Sequence, residues 1–258
     1  MKRLSMFTIF RKKKSQSQED RFNNVMSRAI ELQALNRVEG LRDLIKIIML
    51  PLQAKHISDA YFQKDHGGME SIRFFIDLGI ERYPSALDHS YLSSGLFSGC
   101  MIDEKKNEKL VSLASDILLP TSWHPSSIVD MLGTIGSDAQ YKLGAFKKDI
   151  NHIILHSYPL NITWVHNGNH SIIQGILRGE GHLEADEIID LSPIIELIAF
   201  NGVNWLDISN GRILGKPRYQ EFGIAWEIGR LIASLEDNPF QQTAVSYTHL
   251  TLPTIYSV

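Results

Sequence analysis

The chain has 258 residues, 43% of them hydrophobic, and 26 basic against 29 acidic side chains give a formal net charge of −3. That allows one large or two small domains with a real core, and it gives no electrostatic case for nucleic acid as a main partner. A single cysteine, Cys100, excludes an internal disulfide framework and points to a reducing cytoplasm, and no apolar run approaches the ~18 residues that span a membrane.

Residues 1–18 read as a basic tail. Lys2, Arg3 and the run Arg11-Lys12-Lys13-Lys14 flank an apolar stretch too short for a signal-peptide core. A solvated charged tail is expected. From 19 to 49 the apolar residues recur at helical steps: Phe22, Val25, Met26, Ala29, Leu32, then Leu41, Leu44, Ile45, Ile48. Gly40 is expected to break this into two helices, and Pro51 to end the second. A short helix over 52–62, a loop at 65–68 and a buried helix over 72–83 ending at Pro84 complete a helical region, 19–84. The stretch 85–110 is rich in Ser, Gly and charge and reads as a connector. Cys100 there, with no base close in sequence, is expected to be an ordinary exposed or half-buried thiol.

An α+β domain is expected over 111–243. Ser126 or Ser127 can cap a helix that Gly136 ends. Two β-rich runs, 151–155 and 162–165, flank Tyr158-Pro159. A glycine turn and a helix ending at Gly179 follow. Asn201-Gly202 and Asn210-Gly211 read as turns, and Asn201-Gly202 between apolar runs predicts an antiparallel pair around Gly202. Residues 219–235 read as an amphipathic helix. The fold class is therefore α+β, a helical N-terminal layer plus a small mixed sheet with flanking helices.

The turn Asn167-Gly168-Asn169-His170-Ser171 is the densest chemical signal. A strand that enters a helix through such a turn aims backbone N–H groups and the positive end of the helix dipole at one point. Gly168 lets a group approach the backbone closely, and Asn167, Asn169 and Ser171 can hydrogen-bond it. Ser171 or Asn169 also suits the helix N-cap. His170, titrating near neutrality, is the candidate to contact or protonate a bound anion and the one catalytic candidate. Trp164, His166, Glu180 and Asp190 are secondary candidates. Trp164 is most simply core, and Asp190 could orient a histidine. His152, His156, His166, His170 and His182 cluster in sequence and, with Asp190 or Glu180, could hold zinc or iron, although the spacing matches no zincin pattern. No Gly-x-Ser-x-Gly elbow or phosphate loop is present, and no particular cofactor is indicated.

These motifs carry a resemblance. From about 123 to 231 the chain resembles a bacterial domain-of-unknown-function family marked by a Trp-Val-x-x-Gly-Asn-His-Ser turn, then Gly-Ile and Gly-Glu-Gly. Here these are Trp164-Val165, Gly168-Asn169-His170-Ser171, Gly175-Ile176 and Gly179-Glu180-Gly181. Asp190-Leu191-Ser192-Pro193 and Glu227-Ile228-Gly229-Arg230 fit the same pattern. The family brings no activity with it. A more distant similarity is to the nucleotide-binding fold of partition protein B and sulfiredoxin, in which a Gly-x-His-Arg-like turn opens a phosphate-holding helix. Ser171 stands where that fold has arginine, which removes a bidentate cation. Arg178, about 10 Å along the helix, does not replace it.

The end of the chain reads differently. Residues 245–254, Val-Ser-Tyr-Thr-His-Leu-Thr-Leu-Pro-Thr, match a translated sequencing-library adapter. Residues 244–258 are therefore set aside as an adapter-derived artefact of assembled environmental DNA, and the natural chain is expected to continue past Thr243. The sequence favours a cytoplasmic protein that binds an anionic small molecule or nucleotide at 168–171. A metal-assisted hydrolase built on the 152–182 histidines and a structural or protein-interaction module are the alternatives.

Overall fold

A computed structural model describes residues 16–62, 78–86, 97, 100–102, 109–121, 125–138 and 143–239. The basic run at 11–14, the 65–68 loop and the adapter-like tail lie outside them, as does the first half (72–77) of the expected 72–83 helix.

Helix α1 (Gln18–Ala34) starts with a capping box: Asp20 N–H donates to the Ser17 hydroxyl, and Ser17 N–H donates to the Asp20 carboxylate. The chain turns at Asn36, whose φ of 53° is one that asparagine tolerates. Helix α2 (Val38–Phe62) follows. The break therefore lies at 35–37 and not at Gly40, which sits inside α2. A Cβ on Gly40 would lie 2.9 Å from Leu32 Cδ2, so the glycine lets the two helices approach. Pro51 does not end α2 either, and no separate helix starts at 52. Leu41, Leu44, Ile45 and Met49 before the proline, and Leu52, Gln53, His56 and Ile57 after it, are all buried. Burial of that continuous face offsets the roughly 3 kcal/mol of an interior proline.

Among the described residues ten short strands follow: β1 (Met101–Ile102), β2 (Leu110–Ser112), β3 (Ile117–Leu119), β4 (Ile153–Tyr158), β5 (Ile162–Asn167), β6 (His182–Glu184), β7 (Glu187–Asp190), β8 (Ile198–Phe200), β9 (Trp205–Asp207) and β10 (Ile213–Gly215). The main sheet has the order β1-β7-β4-β5-β3. β4 and β5 form an antiparallel hairpin; β4 runs parallel to β7, and β5 parallel to β3. Carboxyl ends of parallel strands thus lie at both ends of the sheet, β3 and β5 at one, β4 and β7 at the other. The expected antiparallel pair around Gly202 is β8 with β9; a second hairpin at Asn210-Gly211 adds β10 to the same sheet, and β2 pairs with β6. The expected α+β class is the one observed.

The remaining helices are α3 (Pro125–Met131), α4 (Asn169–Arg178), α5 (Ser192–Ile195) and α6 (Gln220–Ala233). α3 starts at Pro125, so neither Ser126 nor Ser127 is its cap; proline's fixed φ suits a first helical position. The side chains of β4 alternate between two cores, as period two requires. Leu155 joins Trp164, Trp205, Phe222, Trp226 and the inner faces of α1 and α2. Ile154 joins Leu118, Val165, Ile172 and Phe146 on the α4 side. α1 and α2 both pack on α6, so the N-terminal helices share the core of the sheet.

Residues 78–83 are not helical. Ile80 bridges to Gly215, Leu78 O accepts from Trp205 Nε1, and Glu81 N–H donates to Leu214 O. Within the expected connector, Met101 pairs with Ile189 to make β1. Cys100 is buried, not exposed, and burial pushes its thiol up to about 12, so it stays protonated and unreactive.

Candidate functional site

The glycine turn stands where β5 runs into α4, as its sequence suggests. Gly168 is the N-cap, with φ 79°, and no side chain caps the helix. Asn169 and Ser171 are turned elsewhere. The buried Asn169 Oδ1 accepts from Thr121 N–H at 2.7 Å and fastens the end of β3. His152 Nδ1 accepts from Asp149 N–H at 2.8 Å, so its proton is on Nε2, which donates to Ser171 Oγ at 2.6 Å. Ser171 in turn donates to Gly168 O at 3.0 Å. With its nitrogens so used, His152 is no base for the serine. Burial lowers its pKa and keeps the ring neutral. A Cβ on Gly168 would lie 2.3 Å from His152 Cδ2, so the close approach that the glycine permits is made by the protein's own imidazole. His170 is half-buried in the first turn of α4, while Asn167 and His166 are exposed at the end of β5.

The secondary candidates lie apart from the turn. Trp164 is fully buried and stacks on Phe222. Glu180 follows the far end of α4, about 15 Å along. There its carboxylate accepts from Ser137 N–H and Phe146 N–H, which hold its pKa down. Asp190 lies opposite Tyr158 at the other end of the sheet, where it accepts from Ser192 N–H and Asn238 Nδ2. The five histidines are dispersed: His156 is buried on β4 and His182 exposed on β6. Among the described residues no three His, Cys, Asp or Glu side chains are grouped to hold a metal ion.

At the opposite end of the sheet the polar groups line open space. A cleft of about 420 Å³ lies between the start of α2 and the 159–161 turn. Arg42, Asp43 and Lys46 from α2, Lys109, Asp116, and His156, Tyr158 and Asn161 line it. These charges are partly matched. Arg42 pairs with Glu39 and Glu236, and Lys46 lies 3.8 Å from Asp116. Lys109 has no ion pair among the described residues. His156 is 4% exposed; burial first, then the Lys109 charge, lower its pKa to about 4. Its Nε2 donates to Asn161 Oδ1 at 3.3 Å, and its Nδ1 accepts from the Thr163 hydroxyl at 2.9 Å. Asn161 has φ 53°, a conformation found at turns and at sites that hold strain. Its Nδ2 donor is not bonded within the protein.

Sequence reasoning passed over Arg42, Lys46, Lys109, Asp116 and Asn161. They come from three distant segments, 42–46, 109–116 and 161, and no motif links them. The only sequence signals were His156 and the Tyr158-Pro159 interruption between the β-runs.

A family model described as a family of unknown function, DUF6710, matches residues 7–239, and the chain belongs to that family. The match takes in the N-terminal helices as well as the 123–231 span that carried the resemblance. No curated protein and no solved structure matches. No helix among the described residues is long and apolar enough to cross a membrane.

Proposed function

We propose that this member of DUF6710 binds a small molecule through an anionic group in the cleft at the β4–β7 end of the sheet. One observation carries the reading: Lys109 and the Asn161 amide are donors without a partner among the described residues, in a cleft where Arg42 and Lys46 are matched by carboxylates. A cation and an amide N–H together suit a phosphate or carboxylate oxygen. The neutral His156 holds Asn161 in position from beneath. The volume falls within the range of small-molecule sites.

The test is a thermal-shift panel of inorganic phosphate, phosphate esters and small carboxylates on the wild type and Lys109→Met. A ligand at about 100 times its dissociation constant adds about 2.7 kcal/mol. A shift in the wild type that Lys109→Met loses, with an unchanged midpoint without ligand, is the expected result. Silence across the panel in a folded protein sinks the reading.

A second reading places an anion or nucleotide at the start of α4. It is favoured by a helix N-terminus with neither a side-chain cap nor an acidic residue in its first turn. With Asn169 and Ser171 engaged, what the start of α4 offers a ligand is its backbone N–H groups at 169–171. A shift insensitive to Lys109→Met but lost in His170→Ala would move the anion there.

A further inference from the structure

The groups beneath Asn161 decide which end of its amide is left for the cleft. His156 on β4 and Thr163 on β5 stand directly opposite in the hairpin, so their side chains leave the same face of the sheet within reach of each other. Both are buried, Thr163 completely. Their neighbours along that face, Ile154 and Val165, belong to the apolar core beside α4 and offer the pair nothing polar.

Among the described residues the Thr163 hydroxyl has one partner, His156 Nδ1 at 2.9 Å. A hydroxyl has one proton to place, and burial makes an unplaced one costly. The hydroxyl therefore donates, and Nδ1 is the unprotonated nitrogen. The ring is neutral at pH 7, so its proton is on Nε2. That N–H in turn needs an acceptor, and the Asn161 Oδ1 meets it at 3.3 Å. The amide nitrogen is the end left for the cleft that Asn161 lines. The Asn161 backbone is held separately, its N–H donating to Ser157 O at 2.9 Å. Neither half of the arrangement reverses alone. A ring proton moved to Nδ1 would leave the hydroxyl proton without an acceptor. An amide turned over would set its NH2 against the Nε2 proton.

We propose that Thr163 is a positioning residue for the cleft: through the His156 tautomer it fixes the Asn161 amide nitrogen outward, so the ligand must bring an acceptor oxygen to that point, and one that brings an ammonium or N–H there is refused. The ligand half of this rests on the anion reading above. The hold of Thr163 on the ring and the amide does not.

The experiment is NMR of the full chain carrying 15N in histidine and asparagine, with and without inorganic phosphate. Correlations within the ring read the tautomer, and the Asn161 NH2 signal reads the donor. In the wild type at pH 7, His156 should be protonated on Nε2 alone, and phosphate should move the Asn161 NH2 signal. Thr163→Val removes the hydroxyl and the reason for one tautomer, so both should coexist. Phosphate should then bind more weakly in proportion to the fraction still on Nε2, about two-fold for an even mixture. Thr163→Ser returns the hydroxyl and should restore the single tautomer and the wild-type affinity. A wild-type ring protonated on Nδ1 overturns the proposal, and decides it even if Thr163→Val does not fold. A Thr163→Val ring that stays wholly on Nε2, or mixed tautomers with undiminished phosphate binding, overturns it as well. Silence of phosphate in a wild type with the expected tautomer overturns the anion reading instead, and a mixed ring in Thr163→Val then upholds the hold of Thr163 on the amide.

Discussion

The two ends of the main sheet carry similar inventories of polar residues and use them in opposite ways. Where β3 and β5 finish, Asn169, Ser171 and His152 spend their hydrogen bonds on the protein, tying the end of β3, the 149–152 turn and the start of α4 together. Where β4 and β7 finish, about 17 Å away along β4, the side chains of Lys109, Glu196 and Asp237 and the Nδ2 of Asn161 have no partner among the described residues. A dense polar motif is therefore not by itself a site. What would distinguish a site is side-chain polar capacity left over around open space, which Lys109 and Asn161 supply at the second end. Substitutions at the first end should accordingly cost stability, and substitutions at the second should cost binding.

The largest effect is expected at Gly168. Alanine there keeps the left-handed φ and drives a Cβ into His152, so the two costs together come to about 3 kcal/mol or more. Gly179, at the other end of α4, shares the positive φ but has nothing within 4 Å of a built Cβ. Gly179→Ala should cost only the backbone term, about 1 kcal/mol. Urea midpoints of the two variants measure the difference. Equal losses would mean that the packing of His152 on Gly168 contributes nothing.

The next effect separates the two asparagines. Asn169→Ala removes the acceptor of the buried Thr121 N–H and should cost about 1–3 kcal/mol, with ligand response at the cleft retained. Asn161→Ala removes a 3.3 Å bond beside an open cleft, where water replaces it. Its cost should stay under about 1 kcal/mol while the response to phosphate falls. Denaturation and thermal-shift measurements on both variants check the pair, and the reverse assignment of losses would undo the comparison.

Much of the architecture was legible from local pattern. The Asn-Gly hairpins, the helix after Gly168 and the closing amphipathic helix each rest on chemistry that neighbouring residues supply. The failures share a cause. At Pro51, and at 78–83 beside Trp205 and Gly215, tertiary partners overrode the local preference. The site was the least legible part. The turn drew attention because its residues are contiguous, and contiguity is also what lets them satisfy one another. The cleft is assembled from α2, the 109–116 segment and the 156–161 hairpin, so beyond His156 and Tyr158-Pro159 its lining comes together only when the chain is folded.

Both ends hold a neutral buried histidine, and acid should strike both. His156 at the cleft and His56, bonded to the Thr121 hydroxyl beside the turn, each have a pKa lowered to about 4, first by burial. The unfolded chain takes up these protons near pH 6.5, and the folded chain resists until about pH 4. Between those values the unfolded state binds more protons, so stability is fully present above about pH 6.5 and is lost as the pH falls. Replacing either histidine with glutamine should flatten the fall of urea midpoints over that window, whatever it does at pH 7. A slope unchanged in both variants would mean that neither ring is held neutral by the fold.

The smallest effect ties that titration back to the proposed ligand site. Lys109 lowers the pKa of His156 through its charge, second only to burial. Lys109→Met should therefore raise the His156 pKa by a fraction of a unit, followed by NMR of the ring protons, while stability at pH 7 moves by no more than about 0.5 kcal/mol. The direction matters more than the size. An anion bound at Lys109 adds a negative charge near His156 and should shift the ring the same way in the wild type, and inorganic phosphate should no longer shift it in the variant. His56, at the other end of the sheet, serves as the internal reference. If phosphate moves His56 and leaves His156 still, the ligand binds at the glycine turn, and the contrast between the two ends is reversed.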